Sequence, residues 1–255
     1  MISDTAHELR HLYARTSKHS GYQLVHPIVA PILGAVEPPS IQRYEDARER
    51  YFLNKVSFVG KAVADVGGNT GYFSFMALAN GAARVDYVEG NRDHATFVQS
   101  AARATGHLPA LKVHDRYVNL ERESLPSHVD VLLLLNVLHH IGDDYGGDVF
   151  DAVAARSHIG AALRRLQGQC AQIIFQLGFN WQGDRRKPLF DTGTKAEMID
   201  FIRKECGNTW KIQHVGIAER LPEGIVYRDA DQRNIVRDDR LGEFLNRPIF
   251  ILGAD

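Results

Sequence analysis

The chain has 255 residues, of which 44% are hydrophobic and 24% charged, with a net charge of −1. Such a composition supports a substantial core and excludes a global electrostatic bias toward nucleic acid or anionic membrane. Cys170 and Cys206 are too few for a disulfide framework or a cysteine-based metal site.

Read from the start, Met1 to Arg15 is polar and does not have the pattern of a signal peptide. No apolar run approaches the roughly 18 residues of a membrane span. With the cysteine usage, this predicts a soluble protein in a reducing cytoplasm. Thr5-Ala6-His7-Glu8 has the form of a capping box, predicting a short helix through Leu9, Leu12 and Tyr13. Pro27, Pro31, Pro38 and Pro39 then punctuate an irregular linker. Ser40 is placed to cap a helix running to about Ser57. Residues 1–57 are therefore expected to form an N-terminal helical extension, and 58–255 one large domain.

Within that domain, strands are predicted at 62–66, 84–89, 110–114, 129–135 and 171–177. Helices are predicted at 70–79, 93–105 and 148–166. Strands alternating with helices point to a doubly wound α/β fold around a mostly parallel sheet. A polar loop, 178–193, follows the fifth strand, and Thr194-Lys195-Ala196-Glu197 forms a second capping box. Two final strands are read at 209–217 and 248–252, giving seven. Residues 218–247 between them far exceed a usual hairpin loop of about 2–5 residues, and are expected to form a lid-like insertion.

The first strand runs into Asp65-Val66-Gly67-Gly68-Asn69-Thr70-Gly71 and then into a helix-like apolar run. Glycine there lets backbone approach a ligand, because it has no Cβ and accepts positive φ. The second strand ends in Glu89-Gly90-Asn91, and a carboxylate at that place can accept both hydroxyls of a ribose held over the first turn. A dinucleotide fingerprint wants glycine at the first, third and sixth positions. Counted from Gly67, those positions hold Asn69 and Tyr72 instead, which would crowd a pyrophosphate.

Gly67, Asn69 and Gly71, with Asp65 two residues ahead, resemble motif I of the class I S-adenosylmethionine (SAM) dependent methyltransferases. Asn69 replaces the usual middle glycine but tolerates the left-handed backbone region. The resemblance spans about residues 61–177 and implies a Rossmann-like seven-stranded methyltransferase fold with SAM as cofactor. Carried over residue by residue, it places Asp65, Gly67, Gly68, Asn69 and Gly71 at the cofactor turn and Glu89 on the ribose. It places Asn91 and Asp115 near the adenine, and Asn136 at the end of the fourth strand.

That strand continues into Asn136-Val137-Leu138-His139-His140, a pattern that resembles small-molecule methyltransferases. It departs from the Asn/Asp-Pro-Pro-Tyr/Phe of enzymes that methylate exocyclic base nitrogens. Histidine suits deprotonation of a hydroxyl at neutral pH, so His139 and His140 are both candidate bases, with the choice between them open. The carboxylates beside them, Asp143 and Asp144, raise a metal centre, but adjacent residues rarely converge and no metal is expected. Arg185 and Arg186 in the loop after the fifth strand, and Tyr227 and Arg233 in the 218–247 segment, are candidate substrate-binding residues.

The function read from this is direct SN2 transfer of a methyl group to a small polar acceptor. A sugar, a nucleotide-linked sugar or a natural-product intermediate would fit, with O-methylation ahead of N-methylation. An RNA methyltransferase and a non-catalytic SAM-binding partner subunit are the alternatives. The oligomeric state stays open.

Overall fold

The computed structural model describes residues 2–15, 21, 23–34, 39 and 41–254. The chain divides into two compact units, one up to Tyr117 and one from Val118 on.

The first unit holds three parallel strands in the order β3-β2-β1: β1 Ala62–Val66, β2 Arg84–Glu89 and β3 Leu111–Asp115. Helix α4, Tyr72–Ala79, is apolar all round and buried along nearly its whole length, as that composition requires. Helix α5, Arg92–Ala104, is amphipathic and buries Phe97, Val98 and Ala101. The N-terminal helices belong to this unit. Helix α1, Ile2–Ala14, packs on α5, with the Tyr13 and Phe97 rings 5.8 Å apart and Ser100 Oγ donating to Glu8 at 3.2 Å. Thr5 lies inside α1, so the capping-box reading there is corrected. Within the proline-punctuated stretch one helical turn forms, α2 Ala30–Leu33, with Pro31 in its first turn, where a missing N–H costs nothing. Helix α3 spans only Glu45–Leu53 and starts after Tyr44 at φ 53°. The expected cap, Ser40, lies outside the described residues.

The second unit orders its strands β4-β5-β8-β6-β7. Strands β4 (Val129–Leu135) and β5 (Cys170–Gln176) are parallel. Strand β8 (Ile249–Gly253) lies between β5 and β6 (Lys211–Leu221), antiparallel to both, and β7 (Gly224–Asp229) pairs antiparallel with β6. Helix α6, Ala152–Arg165, is capped by Asp151, whose carboxylate accepts the Ala154 N–H at 2.7 Å. Helix α7, Lys195–Cys206, opens as the second capping box predicts, with Thr194 Oγ1 accepting the Glu197 N–H at 3.2 Å. The Glu197 carboxylate in turn accepts the backbone N–H groups of Asp191, Thr192 and Gly193, so three orphan donors ahead of the helix are satisfied by one acid.

Among the described residues the two units carry eight strands where seven were expected. The additional one comes from the 218–247 segment. Strand β6 runs on past Gly216, its last residue paired to β8, and folds back as a hairpin with Leu221 opposite Gly224. Ile225 and Tyr227 alternate inward with exposed Arg228, the period of a half-buried strand. Only the remainder, 230–247, is a connection. It is fastened rather than loose: the buried Lys195 ammonium donates to the Asn234 and Val236 carbonyls at 2.9 and 3.0 Å. Cys170 and Cys206 are buried, which pushes their thiols up to about 12 and about 11 and keeps them uncharged. Among the described residues no helix is long and apolar enough to cross a membrane.

Candidate active site

In the first unit, β1 delivers Asp65 into the core beneath the turn. Gly67 adopts φ 69°, and its N–H donates to the Val88 carbonyl at 2.8 Å, stitching the turn to β2. Asn69 adopts φ 53°, the left-handed conformation a non-glycine residue must accept here. Two glycines are required by space. A Cβ on Gly68 would stand 2.6 Å from the Tyr87 ring and 2.8 Å from Asp65 Oδ2. A Cβ on Gly71, already at φ 79°, would stand 2.8 Å from Val98. Gly68→Ala should therefore destabilise the fold by about 1–3 kcal/mol through overpacking. A thermal melt within a degree of wild type would show that the turn has slack.

The Glu89 carboxylate joins the turn to the end of β2. Its Oε2 accepts the Asn69 N–H at 2.9 Å and its Oε1 the Asn91 N–H at 2.8 Å. The Tyr87 hydroxyl donates to the Asn69 carbonyl, fixing the turn from below. Asp115 ends β3 in register with Glu89 and is exposed. The Asn91 carboxamide oxygen caps α5, accepting from the N–H groups of Asp93 and His94 at 3.0 and 3.3 Å.

Burial pushes the Asp65 carboxyl up to about 7, against the lowering effect of the Ser74 hydroxyl at 2.7 Å and with Glu89 adding to the rise. The folded value lies above the ordinary 3.8. Between about pH 4 and pH 7 the native chain thus keeps a proton the unfolded chain has released, and stability falls as pH rises through that window. Asp65→Asn, whose carboxamide oxygen still accepts from Ser74, should flatten this dependence. Melting curves that keep the wild-type pH slope would refute it.

Several contributors escaped the sequence reading. Gln23 Oε1 accepts from Thr70 Oγ1 at 2.8 Å and from the Tyr72 N–H at 3.3 Å, so the N-terminal segment braces the turn. His26 stands edge-on to Tyr72, 5.0 Å between centroids, and burial lowers its imidazole to about 4. The Tyr117 ring lies against Gly90 so closely that no Cβ fits. No motif marks Gln23 or Tyr117. Tyr87 was within reach, since strand register sets it beside Asp65.

In the second unit, Asn136 follows β4 at φ 63°. Its N–H donates to the Gln176 carbonyl at 2.8 Å, its Nδ2 to Gln176 Oε1 at 2.9 Å, and its Oδ1 accepts Arg247 Nη1 at 2.7 Å. The buried Arg247 guanidinium also donates to Glu243, at 3.1 Å from Nε and 2.5 Å from Nη2. Asn136, Gln176, Arg247 and Glu243 thus form one polar network at the carboxyl ends of β4 and β5.

The two histidines differ. The His139 side chain is 2% exposed, and its Nδ1 accepts the Gly178 N–H at 3.2 Å, which puts its proton on Nε2. Gly178 has to be glycine, because a Cβ would stand 2.7 Å from that ring. His140 is half-buried, with Nδ1 3.6 Å from Asp144 Oδ2. Ligand atoms of His140, Asp143 and Asp144 all lie within 4.8 Å of one another, so these sequence neighbours do converge, contrary to the expectation. The loop after β5 clasps the turn that carries them: Trp181 Nε1 donates to the Ile141 carbonyl at 2.5 Å and Gln182 Nε2 to the Gly142 carbonyl at 2.9 Å.

The four expected substrate residues do not gather. Arg185 is exposed on its loop, and Arg186, 89% exposed, pairs with Asp184 at 2.9 Å. Arg233, 93% exposed, pairs with Asp231 at 3.2 Å. Tyr227 is buried in the face of β7. A run of cations in a loop reads alike whether it faces a ligand or water. Here local acids take up Arg186 and Arg233.

No protein-family model matches the chain, and no curated protein matches it. Solved structures do. WbdD, a bifunctional kinase–methyltransferase, aligns at a TM-score of 0.59 and 14% identity, over 96% of this chain and 41% of that one. A proposed RNA methyltransferase from Pyrococcus horikoshii aligns at 0.50 and 14% identity, over 98% of both chains. A proposed SAM-dependent methyltransferase from Listeria monocytogenes aligns at 0.51 and 16% identity, over 82% of this chain and 98% of that one. With the acid-ended strands and the glycine turn of the first unit, these likenesses establish that the chain has the fold of the class I SAM-dependent methyltransferases.

Proposed function

We propose that the chain is a SAM-dependent methyltransferase acting on a small polar acceptor, with a hydroxyl as the receiving group. The observation that carries this reading is the Glu89 carboxylate bonded to the Asn69 N–H, which sets an acid at the lip of a turn where Gly68 and Gly71 admit no side chain. Those residues fit the cofactor: Glu89 would take the ribose hydroxyls, and the glycines would let the backbone meet the methionine portion. Bound SAM supplies an electrophilic methyl on a sulfonium, open to direct displacement. The chain's own part is to align the acceptor, exclude water and remove the hydroxyl proton. His140, with Asp144 beside Nδ1, is the residue assigned to that proton, and no metal is invoked.

The chain-long likeness to a proposed RNA methyltransferase supports a second reading, in which the acceptor is RNA. The net charge of −1 weighs against it. Titration calorimetry with S-adenosylhomocysteine (SAH) and with NAD tests the first reading. Binding of SAH and not NAD is expected, and NAD binding without SAH would overturn it. Salt-sensitive retention of tRNA on a filter would favour RNA.

A further inference from the structure

The turn that follows β4 carries side chains with the make-up of a metal centre. Among the described residues, His140, Asp143 and Asp144 are the one group of three or more histidine, cysteine or acidic side chains whose ligand atoms all lie within 4.8 Å of one another. The backbone brings them together. Gly142 turns the chain at φ 83°, and its N–H donates to the Tyr145 carbonyl at 2.6 Å. The N–H groups of Asp143 and Asp144 both donate to the His140 carbonyl, at 3.1 and 3.2 Å, which folds the two acids back toward the histidine. The bonds from Trp181 and Gln182 hold the turn in that shape.

The donors select the ion. The imidazole separates this set from a solvated acidic patch, since the His140 and Asp144 side chains are each only 18% exposed. Mg²⁺ and Ca²⁺ favour shells made of oxygen, whereas an imidazole nitrogen beside carboxylates suits Zn²⁺, Co²⁺ or Ni²⁺. A tetrahedral ion that holds its ligands at about 2.1 Å spaces them about 3.4 Å apart. His140 Nδ1 already stands 3.6 Å from Asp144 Oδ2. Asp143 is exposed, so its carboxylate can swing inward without disturbing the core. His139, whose ring lies 4.4 Å from that of His140, is not a further ligand, because its Nδ1 lone pair accepts the Gly178 N–H. Three protein ligands leave a position for water.

We propose that His140, Asp143 and Asp144 bind one divalent ion of the zinc type, and that the bound ion silences His140 as a base. A neutral imidazole has one lone pair in its ring plane. The nitrogen that coordinates the ion therefore leaves the other as N–H, with nothing to receive a hydroxyl proton. Ion binding is independent of the methyltransferase reading, and the silencing rests on it. The test is calorimetry on the full chain, stripped with EDTA and titrated with zinc chloride or magnesium chloride. One Zn²⁺ per chain is expected, with Mg²⁺ unable to displace it. Asp143→Asn should raise the Zn²⁺ Kd at least about 10-fold and, at an exposed position, melt like wild type. His7 and His11 are exposed one turn apart on α1 and make the rival site. His11→Ala should leave the Kd within about twofold, since it lies apart from the proposed ligands. Long-range proton–nitrogen correlation NMR, with the His140 signals identified by His140→Gln, gives the second readout. Zn²⁺ should shift one His140 ring nitrogen as its ligand and leave the other as N–H. Binding lost in His11→Ala, an unchanged Kd in Asp143→Asn, equal affinity for Mg²⁺, or unmoved His140 nitrogens would each overturn the proposal. A chain that binds Zn²⁺ in this way but not SAH would instead overturn the methyltransferase reading and leave the ion site standing.

Discussion

Glu89→Ala is expected to weaken SAH binding by about 1.5–3 kcal/mol, roughly 10- to 150-fold in Kd. Two effects add in the same direction. The charge-assisted bonds to ribose are lost, and the turn loses its anchor because the Asn69 and Asn91 N–H groups lose their acceptor. Glu89→Gln separates them. A carboxamide has one acceptor and one donor where the structure presents two amide donors, so one of the two N–H groups must face an NH2. Both variants should lose affinity, while the loss of melting temperature reports how much of the effect is the turn. Calorimetry that returns the wild-type Kd for Glu89→Ala would remove the ribose assignment.

His140→Ala is expected to lower turnover about 10²–10⁴-fold with little change in SAH affinity. The geometry separates the two histidines that sequence left equivalent. His139 already spends its Nδ1 lone pair on the Gly178 N–H, and its remaining nitrogen carries the proton. Taking a second proton would break that bond inside a buried site. His140 Nδ1 lies 3.6 Å from Asp144 Oδ2, and a carboxylate at that distance stabilises the imidazolium as it forms. His139→Ala should instead cost stability, about 1–3 kcal/mol for a buried amide left without its acceptor. Asp144→Asn should lower turnover less than His140→Ala does. Full activity in His140→Ala would leave catalysis to alignment alone.

The strands of the first unit and β4 were legible because each is a short apolar run with its own punctuation. Gly67 and Gly68 close β1, Gly90 closes β2 and Asn136 closes β4. Asn69 was legible as a left-handed residue because few side chains tolerate that conformation. The hairpin of β6 and β7 was not. Its inward positions are Ala218, Ile225 and Tyr227, too sparse to outweigh Glu219, Arg220 and Arg228 in a linear reading. The network of Asn136, Arg247 and Glu243 was hidden for a different reason. Its members come from the end of β4 and from the approach to β8, and no local pattern encodes a contact between segments that far apart. Thr5 shows the opposite error, a local pattern that the packing of α1 on α5 overrode.

Strand β8 follows β6 and β7 in the chain yet lies between β5 and β6. The hairpin of β6 and β7 can close early, since Leu221 and Gly224 are near neighbours. It cannot join β5 until Ile249–Gly253 threads in as the bridge, and that pairing closes a long loop from Gln176 to Ile249. Until then β5 and β6 each present an unpaired edge, the state in which a folding chain is most open to pairing with another copy of itself. Loss of these last few strand residues would therefore not shorten a border of the sheet. It would divide the second unit's sheet into two, β4 with β5 and β6 with β7, and leave each half with an edge open to another chain.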